Sequence, residues 1–554
     1  MSLKPRPTGP IPEMTRRVAQ AAFPKGNVYM TMRDQLGTFF EDEQFADLFP
    51  RRGQPAEAPW RLALVTVMQF AENLSDRQAA DAVRARIDWK YALGLELEDA
   101  GFDFSVLSQF RDRLLAGAQE QHLFEHMLIS FQQAGLLKAG GQQRSASTHI
   151  LASICEMNRL ELVGEALRSA LNALAAVVPT WLQAWVPADW FERYGVPIRE
   201  YRLPKSQEEQ EAWALSVGQD GVQLLRQVYG AVEYPWLAAL PAVETLRRIW
   251  VQQYLTVDDR LSWRAQENLP PVGVRIASPF DLEARWGKKR ARKWLGYKVH
   301  LTETCHPDAP HLITQVETRP GNQIDGAATA DIHQALQARQ LLPEEHLVDT
   351  AYLSAALLVS SRADYGVELI GPVLTDTSWQ AVEQTGYDIT DGCDSSAFTI
   401  DWERKIVTCP QGQQSRPWRE TTSPTGNPIL QTSFYSSNCT PCAAREKCTR
   451  SRDARRPLTL NPQAEHLALQ EARQRQETQA FKERYATRAG VEGLISESAF
   501  VLGMRRSRYR GLAKTHFQHL ATAAALNLKR AAYWLMGIPC ITTRTTSFAA
   551  LAPA

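Results

Sequence analysis

An ordered run of strand and helix patterns constrains the fold more than any other feature of this 554-residue chain. A strand pattern begins near residue 142, and long helical periodicity soon replaces it. The sheet then resumes with alternating apolar and polar residues, as a half-buried strand requires. The later elements are a strand at 297–301, a strand at 312–318, a helix at 326–339, a strand at 347–348 and a strand at 367–370. This order predicts a mixed α/β sheet whose first strand is separated from the others.

The length of the chain predicts several modules around that sheet. After an N-terminal arm over 1–44, residues 45–120 are interpreted as a helix-turn-helix-like DNA-binding domain. Apolar residues recur at helical spacing over 60–70, Ser75 opens a second helix with a capping box, and Ser105 is placed to cap a third. The cations of this domain either contact phosphates or form a solvated face. They are Arg77, Arg84, Arg86, Lys90, Arg111 and Arg113.

Two insertions divide the predicted core. Residues 156–280 read as a helical insertion, whose tryptophans have the spacing of packing residues, although dimerisation or DNA positioning is an alternative role. Residues 373–460 form a second insertion that contains clustered cysteines. The core is therefore expected in pieces at 140–155, 281–372 and 461–538, followed by a tail at 539–554. Its last helix has one apolar stripe and is expected to pack on the sheet.

Global charge does not indicate a nucleic-acid partner, because 62 basic and 61 acidic residues leave a net charge of only +1. Any DNA binding must therefore depend on local patches. Two basic clusters are candidates, and each is either a phosphate-binding surface or a solvated loop. The first comprises Arg285, Lys288, Lys289, Arg290, Arg292 and Lys293. The second comprises Arg505, Arg506, Arg508, Arg510 and Lys514.

Hydropathy predicts a cytoplasmic protein. No apolar run reaches the roughly 18 to 20 residues needed to span a bilayer, and no apolar signal core follows the N-terminal residues. Four of the eight cysteines are scattered along the chain, which suits a reducing compartment better than a disulfide framework.

The other four cysteines lie in one segment with the spacing of a metal site. They are Cys409, Cys439, Cys442 and Cys448. A structural zinc ion takes four thiolates in a tetrahedron, and a C-x2-C pair supplies two of them from one turn. The pattern therefore predicts structural Zn²⁺, with reduced free cysteines as the alternative, and leaves no open position for catalysis.

Two acidic motifs lie at predicted element boundaries. Asp349 follows the buried strand at 347–348, where an acid is either a turn or N-cap residue or a site residue. Tyr485, Arg488 and Glu492 have the spacing Y-x2-R-x3-E, which places the last two one turn apart on a helix face. Glu492 is accordingly either an ordinary ion-pair partner of Arg488 or a catalytic acid.

With these motifs in this order, the chain resembles a DDE transposase of the IS1182 family. The resemblance also rests on the helical N-terminal segment and on the stretches 296–304, 348–352 and 505–512. It implies a ribonuclease H-like core, an InsH-type N-terminal domain and a two-metal mechanism in which carboxylates hold Mg²⁺ or Mn²⁺. Asp349 and Glu492 would be catalytic metal ligands, and Arg488 would orient a scissile phosphate or the glutamate.

The first acid of this family pattern is missing. Residues 144–149 align with the family's first strand and place Ala146 where the first aspartate is expected. A methyl group cannot ligate a metal, and the hydroxyls of Ser145, Ser147 and Thr148 add no charge. Asp281 and Asp325 are alternative acids, although a loop or N-cap role explains each of them better. The sequence predicts an engineered or natural inactivation.

A second departure concerns the basic residue that follows the family's glutamate by about two turns. Ala499 and Phe500 stand in that stretch, and the nearest cations are Arg505 and Arg506.

The resemblance implies a transposase that binds the terminal inverted repeats of an insertion sequence, pairs them as a homodimer or larger homo-oligomer, and cleaves and joins double-stranded DNA. Such a bacterial protein would associate with the nucleoid when it is bound to DNA. A non-catalytic end-binding protein, derived from a transposase by domestication or acting as a repressor, is the main alternative. A ribonuclease H-like nuclease without transposition is the third. Because Asp349, Glu492 and the clustered cysteines are intact, the sequence favours one change at Ala146 over general decay.

Overall fold

The computed structural model describes residues 2–258, 260–374, 378–380 and 393–538. The predicted tail at 539–554 lies outside these residues. Among the described residues, no helix is both long and apolar enough to cross a membrane.

Helices account for most of the regular structure. The N-terminal helices are α1 (Glu13–Ala22), α2 (Val28–Leu36), α3 (Pro59–Ala71), α4 (Asp76–Ala85), α5 (Ile87–Leu93), α6 (Ser105–Ala116) and α7 (His122–Gln133). The next are α8 (Arg159–Val177), α9 (Pro179–Gln183), α10 (Asp189–Tyr194), α11 (Gln207–Gly230) and α12 (Pro241–Gln253). The remainder are α13 (Thr329–Ala338), α14 (Ala355–Tyr365), α15 (Ser436–Cys439), α16 (Arg445–Cys448), α17 (Gln463–Gln476), α18 (Gln479–Ala486), α19 (Val491–Ser496) and α20 (Leu512–Leu535).

The strands fall into one large sheet and three small ones. The large sheet contains β1 (Gln142–Leu151), β4 (Arg285–Lys289), β5 (Arg292–Thr304), β6 (Ile313–Pro320), β7 (Glu345–Leu347) and β8 (Glu368–Ile370). The small sheets contain β2 (Tyr254–Val257), β3 (Arg260–Trp263), β9 (Thr399–Asp401), β10 (Ile406–Thr408), β11 (Arg419–Thr422), β12 (Pro428–Ser433) and β13 (Pro457–Leu460).

The large sheet has the order β4-β5-β1-β7-β8, and β6 also pairs with β5. Strand β1 is antiparallel to β5 and parallel to β7, which is in turn parallel to β8. The predicted mixed sheet is therefore confirmed, and its curled topology is consistent with a ribonuclease H-like core. Each of the five predicted strands is present, and the second begins earlier than expected, at Arg292.

Helix α20 covers one face of this sheet with the apolar stripe that the sequence predicts. Phe517, Leu520 and Leu528 are fully buried. The side-chain amide of Asn527 accepts a hydrogen bond from the Ile313 backbone N–H at 2.7 Å and donates one to its carbonyl at 2.8 Å. Because both backbone groups of Ile313 are satisfied in this way, α20 closes that part of β6 as well as its face.

The N-terminal helices pack on α20 and share its hydrophobic core. Ser75 forms the predicted capping box with Gln78 at the start of α4. The prediction for Ser105 is wrong: this residue is the first in α6, and its backbone N–H donates to the carboxylate of Asp103 instead. Helix α5, which the sequence did not distinguish, lies between the second and third predicted helices.

The helical insertion has a core of its own, built around α8, α11 and α12. Trp190 and Trp250 are buried there, and the indole N–H of Trp250 donates to the Gly218 carbonyl at 3.0 Å. A Cβ at Gly221 would lie 2.1 Å from the Trp250 ring, so only glycine permits α11 to approach this closely. Packing is therefore the role that these two rings have.

Candidate active site

The parallel pairing of β1 and β7 places residue 146 and Asp349, the first two acid positions of the family pattern, side by side in the sheet. Arg144 is the partner of Leu347 in their parallel register, so Ala146 and Asp349 each lie two residues further along. Ala146 is only 4% exposed and pairs with Leu301 on the other side. The alignment at residue 146 thus identified a position beside Asp349, occupied here by a methyl group.

The Asp349 carboxylate has two different environments. Its Oδ1 accepts a hydrogen bond from the Ala351 backbone N–H at 3.0 Å, as an N-cap residue does. Its Oδ2 lies 3.6 Å from the guanidinium of Arg488. The simple capping role that the sequence left open is therefore real, but it engages only one oxygen and leaves the other facing the late helical segment.

Arg488 links the two acids that the sequence singled out. A 3-10 turn at Thr487–Gly490 joins α18 to α19, and the guanidinium of Arg488 lies 3.9 Å from Glu492. The Arg488 side chain is 13% exposed, whereas that of Glu492 is 71% exposed. The structure therefore brings together Asp349, Arg488 and Glu492, with an arginine between two carboxylates.

Arg144 holds this turn on the sheet, although no local sequence pattern singles it out. It donates to the Thr487 carbonyl at 2.6 Å and to the buried carboxylate of Glu303 at 2.7 Å. A Cβ at Gly490 would lie 2.3 Å from the same guanidinium. Because side chains alternate along a strand, Ala146 projects to the same face as Arg144, toward the turn that carries Arg488.

A second buried arginine continues this network. Arg530 of α20 donates to Glu303 at 2.5 Å and to Glu497 at 3.1 Å. Burial opposes its charge, but the two carboxylates outweigh burial and raise the pKa of Arg530. The segment Glu497–Val501 is a π-helical turn after α19, so this ion pair fixes an irregular segment next to the candidate site.

The two alternative acids have other roles. Asp325 accepts from Ser147 at 2.8 Å and pairs with Lys298 at 2.7 Å. Burial raises the pKa of Asp325, but the hydrogen bond and charge of Lys298 outweigh it, so the pKa is lowered. Asp281 is buried and accepts from the Tyr297 hydroxyl at 2.6 Å and from the Gly511 backbone at 3.1 Å. Both carboxylates are committed to structural contacts. Asp281 has the loop role preferred from sequence, whereas Asp325 begins a 3-10 helix and forms an ion pair instead of capping a helix.

The donor set does not fit a two-metal centre. Across the described ranges, no three His, Cys, Asp or Glu side chains are grouped so that they could hold a metal ion. Asp349 and Glu492 provide only two acids, and the cation between them is a guanidinium. The side chain level with Asp349 on β1 is the methyl group of Ala146, which cannot ligate a metal.

The zinc prediction is not supported. In the described part of the second insertion, Cys409, Cys439 and Cys448 pack against one apolar core instead of converging as a metal-binding group. Burial raises the pKa of Cys439, and it raises that of Cys448 to about 12 with a further contribution from Cys393. Cys442, the fourth predicted ligand, is partly exposed.

The first basic cluster is a β-hairpin, not a loop. Strand β4 turns back at Arg290, whose φ is 56°, and enters β5 at Arg292. Lys288 faces Lys293 across the hairpin, and Lys289 faces Arg292. All four side chains are exposed, and among the described residues none of them has an acidic partner. Arg285 differs, since it donates to the Ala284 carbonyl at 3.0 Å.

The second basic cluster divides into engaged and exposed cations. Arg508 donates to the Leu74 carbonyl at 2.7 Å, and Lys514 pairs with Asp112 at 2.9 Å, so both fasten the N-terminal helices to the core. Arg506 and Arg510 are exposed. Arg505 donates to Thr148 at 2.9 Å and lies against the His149 ring, which places this cation at the end of β1.

Two family models match parts of the chain. Residues 17–113 match a transposase domain, DUF772, and residues 408–532 match a transposase DDE domain. The DDE match includes Arg488 and Glu492 but begins after Asp349. Comparison with curated proteins and with solved structures returned no significant match.

Proposed function

The chain carries the DDE and DUF772 transposase domains, the typical architecture of the IS1182 family, and from this premise we propose a DNA-end-binding transposase disabled at residue 146. The observation that carries the proposal is the register of β1 against β7, which sets Ala146 level with Asp349. Asp349, Arg488 and Glu492 meet beside that position. One side chain is absent from a site whose other parts are assembled.

The chemistry of the reaction explains why this one side chain matters. Phosphodiester cleavage by this class uses two divalent cations, Mg²⁺ or Mn²⁺, which activate the attacking oxygen and stabilise the leaving one. Asp349 and Glu492 are the proposed ligands that remain. Without a third acid their charge is balanced by Arg488, which we assign to orienting the scissile phosphate or Glu492.

Restoring the acid tests the proposal. Ala146→Asp is expected to give metal-dependent cleavage of duplex DNA taken from the borders of the element, because it completes three carboxylates on one face. Ala146→Asn is the matched control, since it has the same shape without the charge, and it is expected to remain inactive. Adding Asp349→Asn to Ala146→Asp should abolish the restored activity by roughly 100-fold or more.

The outcome is read from cleavage products resolved by length with Mg²⁺ or Mn²⁺. If Ala146→Asp cleaves no better than Ala146→Asn, although both bind the DNA, the one-change hypothesis is wrong.

Ala146 itself favours a second candidate function. A chain that keeps its end-binding surfaces but lacks the first acid can act as a non-catalytic binder of terminal inverted repeats, as a homodimer or larger homo-oligomer. Binding of end DNA by the unchanged chain, compared with random DNA across salt concentrations, tests this function. Equal affinity for both sequences would count against it and against the transposase proposal together.

A further inference from the structure

The free end of the β4–β5 hairpin contains like-charged pairs and a strained backbone residue, both of which destabilise the folded protein when nothing is bound. Like charges directly opposite each other on neighbouring strands destabilise a sheet, and the hairpin has two such pairs in succession. Arg290, at its tip, has a left-handed backbone conformation that residues other than glycine rarely adopt. Both costs are concentrated in one exposed segment, which is typical of a binding element.

The hairpin lies beside the end of β1. The rings of His149 and Trp294 have centroids 5.2 Å apart, and Trp294 belongs to β5. The Arg505 guanidinium lies 2.8 Å from the His149 Nδ1. Thus His149 stands between the base of the hairpin and the second basic cluster, although sequence reasoning gave it no role.

The pKa shifts of His149 and Arg505 agree with this placement of the hairpin beside β1. Burial and then the charges of Arg505, Arg292 and Lys289 lower the pKa of His149 to about 4. Burial and the charge of Arg292 also lower the pKa of Arg505. Among the described residues, the charged groups that shift the pKa of His149 are Arg505, Arg292 and Lys289, so three cations act on one ring.

We propose that Lys289, Arg292, Arg505 and His149 form one site for a DNA backbone phosphate. The site deepens the proposed function and rests on it, since it specifies which residues of the chain hold the DNA backbone. His149 is three residues from Ala146 along β1, about 10 Å away, and the alternation of side chains places it on the other face of the sheet. A phosphate held there therefore positions the DNA backbone at a distance from the candidate active site. A phosphodiester matches the chemistry, because guanidinium and ammonium groups bind its oxygens and the bound anion offsets their mutual repulsion.

The test is fluorescence anisotropy with labelled end and random duplexes between about 50 and 200 mM salt. Lys289→Ala or Arg292→Ala should lower affinity for both duplexes, roughly tenfold at low salt, and should reduce the slope of log K against log salt by about 0.9. Arg226→Ala is the matched control, because Arg226 is an exposed cation on α11 in the helical insertion. It should leave the slope unchanged.

A double variant tests whether the cations form one site. If Arg292 and Arg505 bind the same phosphate, Arg292→Ala/Arg505→Ala should lose little more of the slope than either single variant. Full additivity would overturn the single site. Circular dichroism of each variant verifies that the fold is retained.

The site and the proposed function can fail separately. Strong preference of the unchanged chain for end DNA, together with an unchanged salt slope in Lys289→Ala and Arg292→Ala, overturns the phosphate site alone. Reduced slopes on random DNA without any preference for ends support the phosphate site and overturn the end-binding function. Absence of DNA binding by the unchanged chain overturns both.

Discussion

The cations of the N-terminal helices and those of the β4–β5 hairpin differ in what surrounds them. Arg86 pairs with Glu72 and Asp88, and Arg111 pairs with Asp76 at 2.9 Å. Across the described ranges, Lys288, Lys289, Arg292 and Lys293 have no acidic partner and face one another. Two sets of cations that both suggested DNA binding in the sequence therefore differ in the structure. Arg86 and Arg111 stabilise the fold through acidic partners, whereas the hairpin cations face solvent.

The sharpest test of this contrast is Arg111→Met. Arg111 is 7% exposed and also lies over the ring of Tyr509 at 4.7 Å, so it joins α6 to the core. Its removal leaves the Asp76 carboxylate without its cation and should lower the free energy of unfolding by about 3 kcal/mol. Urea denaturation measures this loss, and the salt slope of DNA binding by the folded variant should stay unchanged.

Arg84→Met is the control for that measurement. Arg84 is an exposed residue of α4 with a partner one turn away, and its loss should change stability by less than about 0.5 kcal/mol. If Arg111→Met lowers the free energy of unfolding as little as Arg84→Met does, the distinction between paired structural cations and exposed cations is wrong for this domain.

Acid pH should weaken the same ion pair. Burial raises the pKa of Asp76, but hydrogen bonds from Arg111 and Gln69 outweigh burial and lower it. A depressed folded-state pKa stabilises the protein above the unfolded value of about 3.9, and this contribution is lost as pH falls through the folded pKa. The stability gap between the unchanged chain and Arg111→Met should narrow below about pH 4. Urea unfolding across that pH range measures this difference in unfolding free energy. If the difference stays constant, the contribution of Arg111 to stability comes from packing and not from the ion pair.

The smallest expected effect concerns the hairpin and has the opposite sign. Lys293→Glu places an acid opposite Lys288, and the free energy of unfolding should rise by about 0.5 kcal/mol. Thermal melting at low and high salt measures the gain, which should shrink as salt screens the pair. Lys293→Gln should give a smaller gain. Destabilisation by Lys293→Glu would mean that the repulsion is already compensated within the protein.

Hydrophobic periodicity predicted the sheet because its strands either alternate apolar and polar residues or consist of short apolar runs. Burial of β7 and the stripe on α20 both follow from side-chain spacing, which is local information. The Y-x2-R-x3-E spacing likewise anticipated the contact between Arg488 and Glu492, because one helical turn separates them. The approach of Arg488 to Asp349 was not predicted, since no local pattern joins residues so far apart.

What sequence reasoning missed depends on contacts between distant segments. Arg144 reaches the Thr487 carbonyl, and His149 meets Arg505, and neither pairing has a signal in the sequence near either residue. The zinc prediction lacks support for a related reason. The spacing of Cys439 and Cys442 permits a metal site, but only the three-dimensional arrangement decides whether other donors converge. Ser105 was misplaced because Asp103, two residues earlier, competes for the same cap.

The methyl group at residue 146 also has a genetic consequence. Alanine codons ending in T or C become aspartate codons by one change of their middle base. Because β1, the Thr487–Gly490 turn and Asp349 already hold their places around that residue, such a point mutation needs no second change to rebuild the surrounding framework. Sequencing copies of the gene under selection for transposition would therefore look for recurrent revertants at a single codon.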